Sequence, residues 1–241
     1  MGVQVYRENH HMTADKAWVG LTNEDFREML IALVGFRFGT EPETRLDEIR
    51  IEREAYAGRF LKMAGIGPDD TVLELGSGCG FGTRAVAKVA KKVLACDISE
   101  AYLAYARQEL EEFDNIEFRH VQSRDLSTIA DRSVDKVVSI SVFIHFNLYD
   151  VYLYFLQFKR ILKQRGRVVF DFADAHRLAG GFHSKTLIDQ FLEHAPYYRD
   201  MPSNLPGLVQ WNSAKGIKGA AKLAGFRLIR QRGHRLLFKR R

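Results

Sequence analysis

Between residues 72 and 83 the chain reads Val-Leu-Glu-Leu-Gly-Ser-Gly-Cys-Gly-Phe-Gly-Thr. Four glycines alternate here, Gly76, Gly78, Gly80 and Gly82, behind a short apolar run that contains Glu74. Glycine admits positive φ and lets backbone N–H groups approach a bound molecule closely. Asp97 follows Gly76 by 21 residues, at the end of the next apolar run. A carboxylate in that place can accept hydrogen bonds from both hydroxyls of a ribose. The chemistry implied is the binding of a nucleoside-bearing cofactor.

The glycine spacing narrows the cofactor. A dinucleotide turn needs G-x-G-x-x-G, so that the following helix can approach a pyrophosphate. Counted from Gly76, the third glycine falls on Phe81; counted from Gly78, it falls on Thr83. Glu74 also puts a carboxylate where a pyrophosphate is unwelcome. A cofactor with a cationic amino group and no phosphates fits this pattern better, and a nicotinamide oxidoreductase is disfavoured.

Other residues could act on a substrate. His145 follows the fourth predicted strand, and its near-neutral pKa suits a general base. A structural or substrate-shaping role fits its position equally well. Tyr149, Tyr197, Tyr198 and Trp211 either line a pocket or pack in the core. Cys79 and Cys96 are read as reduced thiols. His10, His11, His176, His183 and His194 show no recognised ligand spacing with nearby acids, so no metal site is expected.

These residues require an alternating scaffold. Apolar periodicity predicts helices over about 23–33 and 45–64, then a strand at 72–75, a helix at 83–91 and a strand at 92–97. Ser99 caps a helix, and strands follow at 116–120 and 134–140. A helix over 150–162, a turn at 163–166 and a strand at 167–172 continue the rhythm. Residues 173–214 lose it, holding Gly180-Gly181, three prolines and a helix near 185–194. An irregular stretch of that length in a compact enzyme is usually functional. A helix at 215–224 precedes strands at 226–232 and 234–239, joined tightly at Gly233. The sum is a doubly wound, mostly parallel seven-stranded α/β sheet with a C-terminal antiparallel hairpin. Residues 1–64 are expected to form a helical cap, and 65–241 the core with a substrate lid at about 173–214.

Size and composition agree with one core. The chain has 241 residues, 46% of them hydrophobic, and no apolar run long enough to cross a bilayer. The N-terminus lacks a basic segment leading into an apolar one, so a cytoplasmic protein is expected. Net charge is +6, and from Met201 to Arg241 there are ten Lys or Arg and no Asp or Glu. Such asymmetry suits an anionic partner, or simply a solvated strand face and tail.

With these motifs in place, the sequence resembles the class I, Rossmann-like S-adenosylmethionine-dependent methyltransferases over about residues 56–240. Glu74-Leu-Gly-Ser-Gly-Cys-Gly looks like the family's first motif, and Asp97 like its ribose-binding acid. Arg124-Asp125-Leu126 is similar to the segment that holds the adenine, with Asp125 as the candidate for its amino group. Ser141 and Val142 take the place of the loop beside the methionine. Lys163-Gln-Arg-Gly-Arg resembles the turn before strand five, without the usual proline. The resemblance implies S-adenosylmethionine as cofactor, held by Glu74, Gly76, Ser77, Gly78, Gly80, Asp97, Ile98, Arg124, Asp125 and Ser141, with His145 as the candidate catalytic residue.

Methyl transfer to O, N or C of a small molecule is then the expected activity, on an anionic acceptor or a natural-product intermediate. An RNA or protein methyltransferase using the basic C-terminus is the alternative. The fourth strand lacks the Asn/Asp-Pro-Pro-aromatic loop used on base amino groups, so nucleic acid is not favoured. A non-catalytic cofactor-binding protein is a further alternative.

Overall fold

The computed structural model describes residues 42–122, 124–176 and 210–241, with side chains from residue 47 onward. The expected helices near 23–33 and 185–194 lie outside these residues.

The first described helix, α1 (Pro42–Ala64), starts three residues before the predicted position. Proline suits the first turn of a helix, where its missing N–H is no loss. Ala57, Phe60, Leu61 and Ala64 recur at helical spacing and are buried. They pack with Val72, Val138, Val169 and Leu237 of the sheet. This part of the expected cap is thus a full layer of the core.

Strands β1 (Thr71–Leu75), β2 (Lys92–Asp97), β3 (Ile116–His120), β4 (Val134–Ser139) and β5 (Leu162–Asp171) are parallel. Two-residue strands β6 (Ala173–Asp174) and β7 (Trp211–Asn212) pair with each other. Strands β8 (Phe226–Arg232) and β9 (Arg235–Arg240) form the C-terminal hairpin. The seven-stranded sheet has the order β3-β2-β1-β4-β5-β9-β8, with β9 antiparallel between β5 and β8. The strand order reverses between β1 and β4, which is where open α/β sheets bind ligands at their carboxyl ends.

Side-chain alternation divides the core. Leu73, Leu94, Val137, Val168, Phe170, Leu236 and Phe238 face α4 (Leu148–Ile161) and α5 (Ala214–Leu223). Their neighbours Val72, Val93, Val138, Val169 and Leu237 face α1 and α2 (Phe81–Ala87). Period-two alternation places one set on each face, so both faces are covered.

Local chemistry sets the element ends. Ser99 caps α3 (Glu100–Glu109) by accepting from the Tyr102 N–H. Asn147 and Asp150 form a capping box, so α4 begins earlier than the apolar pattern suggests. Helix α2 stops at Ala87 rather than near Lys91. The N–H groups of Lys91 and Lys92 turn to the Asp70 carbonyl and lead into β2. The predicted turn at 163–166 is looped out within β5, where Leu162 and Arg167 face Val134 and Lys136. Among the described residues no helix is long and apolar enough to cross a membrane.

Candidate functional site

The glycine turn is fastened to β2. The N–H groups of Gly76 and Ser77 both donate to the Cys96 carbonyl, at 2.7 and 3.1 Å. Gly76 has φ 75°, and a Cβ there would come within 2.1 Å of Val142 Cγ2. Only glycine lets the β1 and β4 loops meet this closely. Gly78 has φ 53°, yet a Cβ at this position would meet nothing within 4 Å. The turn therefore presents its backbone to open space at Gly78 and is packed shut at Gly76.

Asp97 is the strut of the turn. Its Oδ2 accepts from the Gly78 N–H at 2.8 Å, and its Oδ1 from the Ser99 N–H at 2.9 Å. Burial raises its pKa, and these two backbone donors oppose the rise. Each oxygen keeps a second lone pair, so the carboxylate retains capacity for ribose hydroxyls. Beside it, Ile98 is exposed, and its carbonyl accepts from His120 Nε2 at 3.0 Å. Ser77 is buried, and its Oγ has no partner among the described residues.

Glu74 lies below the turn. It shares a strand face with Val72, so it points under α1 and α2 rather than into the open turn. A Cβ on Gly82 would come within 2.8 Å of its Oε1, and Ala57 of α1 lies in the same place. Burial is complete and drives its pKa up to about 8, with the Thr83 hydroxyl opposing the shift. The neutral acid is thus favoured at pH 7, and Glu74 lies beneath the loop as a buried acid.

Arg124 and Asp125 are both engaged locally. Arg124 has φ 62°; its N–H donates to the Tyr154 hydroxyl at 3.1 Å, and its guanidinium holds Asp150 at 2.7 Å. Asp125 is exposed, and its two oxygens accept from the Ser127 N–H and hydroxyl at 2.7 and 3.0 Å. That is an Asx-type turn, the competing use of an aspartate in such a loop. Ser141, at φ 60°, belongs to the site through its neighbour Val142, which rests on Gly76. His145 ends a short 3-10 turn, Phe143–His145, anchored by Phe143 stacked on Phe170 at 4.1 Å. It lies on the carboxyl edge with the glycine turn, while Tyr149 is 82% exposed on the outer surface of α4.

The returning chain docks beside this turn. Gln210 N–H donates to the Ile144 carbonyl at 2.6 Å, and Asn212 Nδ2 to the Phe146 carbonyl at 2.7 Å. Through β6 and β7 the two ends of the irregular stretch meet next to the β4 loop.

A second polar cluster was not visible in the sequence. At the end of β5, Asp171 is 3% exposed and accepts from the Tyr56 hydroxyl at 3.0 Å and the Ser141 N–H at 2.7 Å. Tyr56 Oη lies 3.0 Å from His234 Nε2, and since its proton goes to Asp171, the imidazole N–H donates to it. Burial raises the pKa of Asp171, and burial followed by the Asp171 charge raises that of Tyr56. The available signal was an acid closing a strand, Phe170-Asp171, as Asp97 closes β2. Burial also pushes both thiols up, Cys96 to about 12, so neither is a ready nucleophile. Among the described residues no group of three or more His, Cys, Asp or Glu side chains converges to hold a metal.

Residues 73–170 match the model of a family described as a methyltransferase domain. The ribosomal RNA small subunit methyltransferase A of Thermotoga petrophila is 30% identical over 83 residues, 34% of this chain and 32% of that protein. The demethylmenaquinone methyltransferase of Tropheryma whipplei is 33% identical over 123 residues, 51% of this chain and 50% of that protein. The chain thus spans a third to a half of the length of these curated relatives. The magnesium protoporphyrin IX methyltransferase of Synechocystis, solved with bound SAH, superposes with TM-score 0.56 at 18% identity, covering 80% of this chain and 83% of that one.

Proposed function

We propose that this chain, whose residues 73–170 match a methyltransferase domain, is a class I S-adenosylmethionine-dependent methyltransferase that transfers a methyl group to O, N or C of a small-molecule acceptor. The observation that carries this reading is the Gly76–Asp97 turn at the reversal of strand order. Its backbone is open at Gly78 and held from behind by the Asp97 carboxylate. The orphaned, buried Ser77 Oγ and the second lone pairs of Asp97 are unfilled hydrogen-bonding capacity beside the turn. They fit a nucleoside-bearing cofactor without phosphates.

S-adenosylmethionine supplies, when bound, a sulfonium methyl that is already electrophilic. The protein then has to orient and shield. Gly76, Ser77, Gly78 and Gly80 form the wall, Asp97 takes the ribose hydroxyls, and Ile98 offers an apolar surface beside them. Ser141 and Val142 close the turn from the β4 side. Glu74 acts from beneath, as a buried support of the loop. Arg124 and Asp125 position the β3–β4 connection. His145 stands on the edge where an acceptor would approach, and it takes a proton if the acceptor atom carries one. The described ends of the 173–214 stretch, Ala173–Asp174 and Trp211–Asn212, pair beside that edge.

Calorimetry with S-adenosylhomocysteine tests the reading. Saturable one-to-one binding, with none of NAD, is expected; binding of NAD alone overturns it. A second reading, an RNA acceptor, draws on the exposed β8 arginines Arg227, Arg230 and Arg232 and on the similarity to a ribosomal RNA methyltransferase. Methyl incorporation into total RNA that falls steeply with salt would favour it over the small-molecule reading.

A further inference from the structure

The carboxyl end of β5 holds more positive charge than it neutralises. Asp171 and Arg235 are cross-strand partners in the β5–β9 ladder, so their side chains leave the same face of the sheet. Such a pair would ordinarily form an ion pair. Instead, the Asp171 oxygens accept from the Tyr56 hydroxyl and the Ser141 N–H. Arg235 lies with its Cζ 5.8 Å over the Phe60 ring, and its Nε is buried without a partner. Arg53 stands one turn before Tyr56 on α1, and among the described residues its Nη1 reaches only the Ser141 Oγ, at 3.4 Å. Neither guanidinium meets a carboxylate among the described residues. Both are half-buried, and the charge of each acts on Tyr56.

We propose that Arg53 and Arg235 form an oxyanion subsite that holds a carboxylate or phosphate group of the methyl acceptor. This assignment rests on the methyltransferase reading above. Three features favour it. A buried guanidinium N–H without an acceptor is costly, and at Arg235 the fold leaves this hydrogen-bonding capacity unfilled. Stacking on Phe60 fixes the plane of Arg235, and a fixed fork suits the two oxygens of a carboxylate or phosphate. Ser141, which Arg53 touches, adjoins Val142, and Val142 packs on Gly76 of the donor turn. An acid group held here therefore leaves the rest of its molecule beside the glycine turn. Tyr56, His234 and Asp171 are the positioning groups, since their chain of hydrogen bonds keeps the Asp171 carboxylate from neutralising Arg235.

The test is arginine side-chain NMR on the full chain with S-adenosylhomocysteine present. Benzoate and inorganic phosphate are the anionic probes, and benzamide is the neutral control. The Nε–H signals are assigned by their loss in Arg53→Gln and Arg235→Gln. Both signals should shift saturably with an anion and stay still with benzamide. Either variant should weaken anion binding by about tenfold or more, the loss of one charge-assisted contact. A response to benzoate alone assigns a carboxylate acceptor, and a response to phosphate alone a phosphorylated one. Unmoved signals, an equal response to benzamide, or anion binding indifferent to both variants overturns the subsite. Calorimetry on the same wild-type sample separates the two claims. S-adenosylhomocysteine that binds while the anions do not removes only the subsite, whereas failure of S-adenosylhomocysteine to bind removes the methyltransferase reading.

Discussion

The two edges of the sheet handle charge in opposite ways. At the amino edge Lys136 holds Asp70 at 2.7 Å and Lys163 holds Asp135 at 2.7 Å. Asp135 also accepts from the Thr71 N–H, and Arg167 donates to the Ala64 carbonyl at the end of α1. These groups line a cleft of about 300 Å³. Its ion pairs and backbone contacts tie strand starts together. At the carboxyl edge, Glu74, Asp97 and Asp171 are all buried, none forms an ion pair among the described residues, and burial raises each pKa. Unpartnered donors stand near them, the Ser77 hydroxyl and the Arg235 Nε–H. The cleft thus holds paired ions, whereas the carboxyl edge holds polar groups in an unfavourable environment with hydrogen-bonding capacity left over, the pattern common at functional sites.

If that contrast is correct, substitutions at the carboxyl edge should matter more. The largest effect is expected from Gly76→Ala. A methyl group 2.1 Å from Val142 Cγ2, at φ 75°, combines overpacking with backbone strain. Thermal and urea unfolding should show a loss of about 3–5 kcal/mol. Adding Val142→Ala should recover part of it, and a double variant no more stable than Gly76→Ala would refute the contact as the cause.

Glu74 gives the next effect, with a defined sign. Its folded pKa, about 8, lies above the ordinary 4.5, so the folded chain keeps a proton that the unfolded chain releases. The stabilisation from this group is complete below about pH 4.5 and is lost as the pH rises through 8. Urea unfolding across that range should show a decline of up to about 5 kcal/mol from this group, and Glu74→Gln should flatten it. A variant with an unchanged pH slope would assign the decline to another group. Asp97→Ala should follow. It removes the acceptor of the Gly78 N–H and the proposed ribose contact, and S-adenosylhomocysteine affinity should fall about 100-fold by calorimetry. Unchanged affinity would move the ribose elsewhere.

The smallest effect belongs to the amino edge. The Lys163–Asp135 pair is partly exposed, with 45% of the lysine side chain in solvent. Lys163→Met should change unfolding stability by less than about 1 kcal/mol and leave cofactor binding intact. A cofactor defect in this variant would erase the distinction between the edges.

Legibility in the sequence followed the range of the interactions. The glycine turn, Asp97 and the Ser99 cap are set by neighbours along the chain, and their spacing was enough to place them. The hairpin at Gly233 was readable too, and β9 does lie antiparallel between β5 and β8. Glu74 was readable as a residue but not as an environment. Its charge state depends on Ala57, Gly82 and Thr83, which the fold brings over it. Asp125 and Arg124 matched a family segment, but Ser127 and Asp150 engage them in this structure. Tyr56, Asp171 and His234 sit 115 and 178 residues apart when counted from Tyr56 to its two partners. No local pattern joins such positions.

The sequence by itself determined a mostly parallel α/β sheet, the place of the glycine turn and the acid that closes β2. These depend on backbone conformation and on period-two or helical burial, which are properties of short segments. Tertiary structure decided which polar groups are buried, which are already paired and which still lack a partner. Desolvation and hydrogen bonding act through space, and here they raise the pKa of Glu74 and leave Arg235 beside Asp171 without joining it.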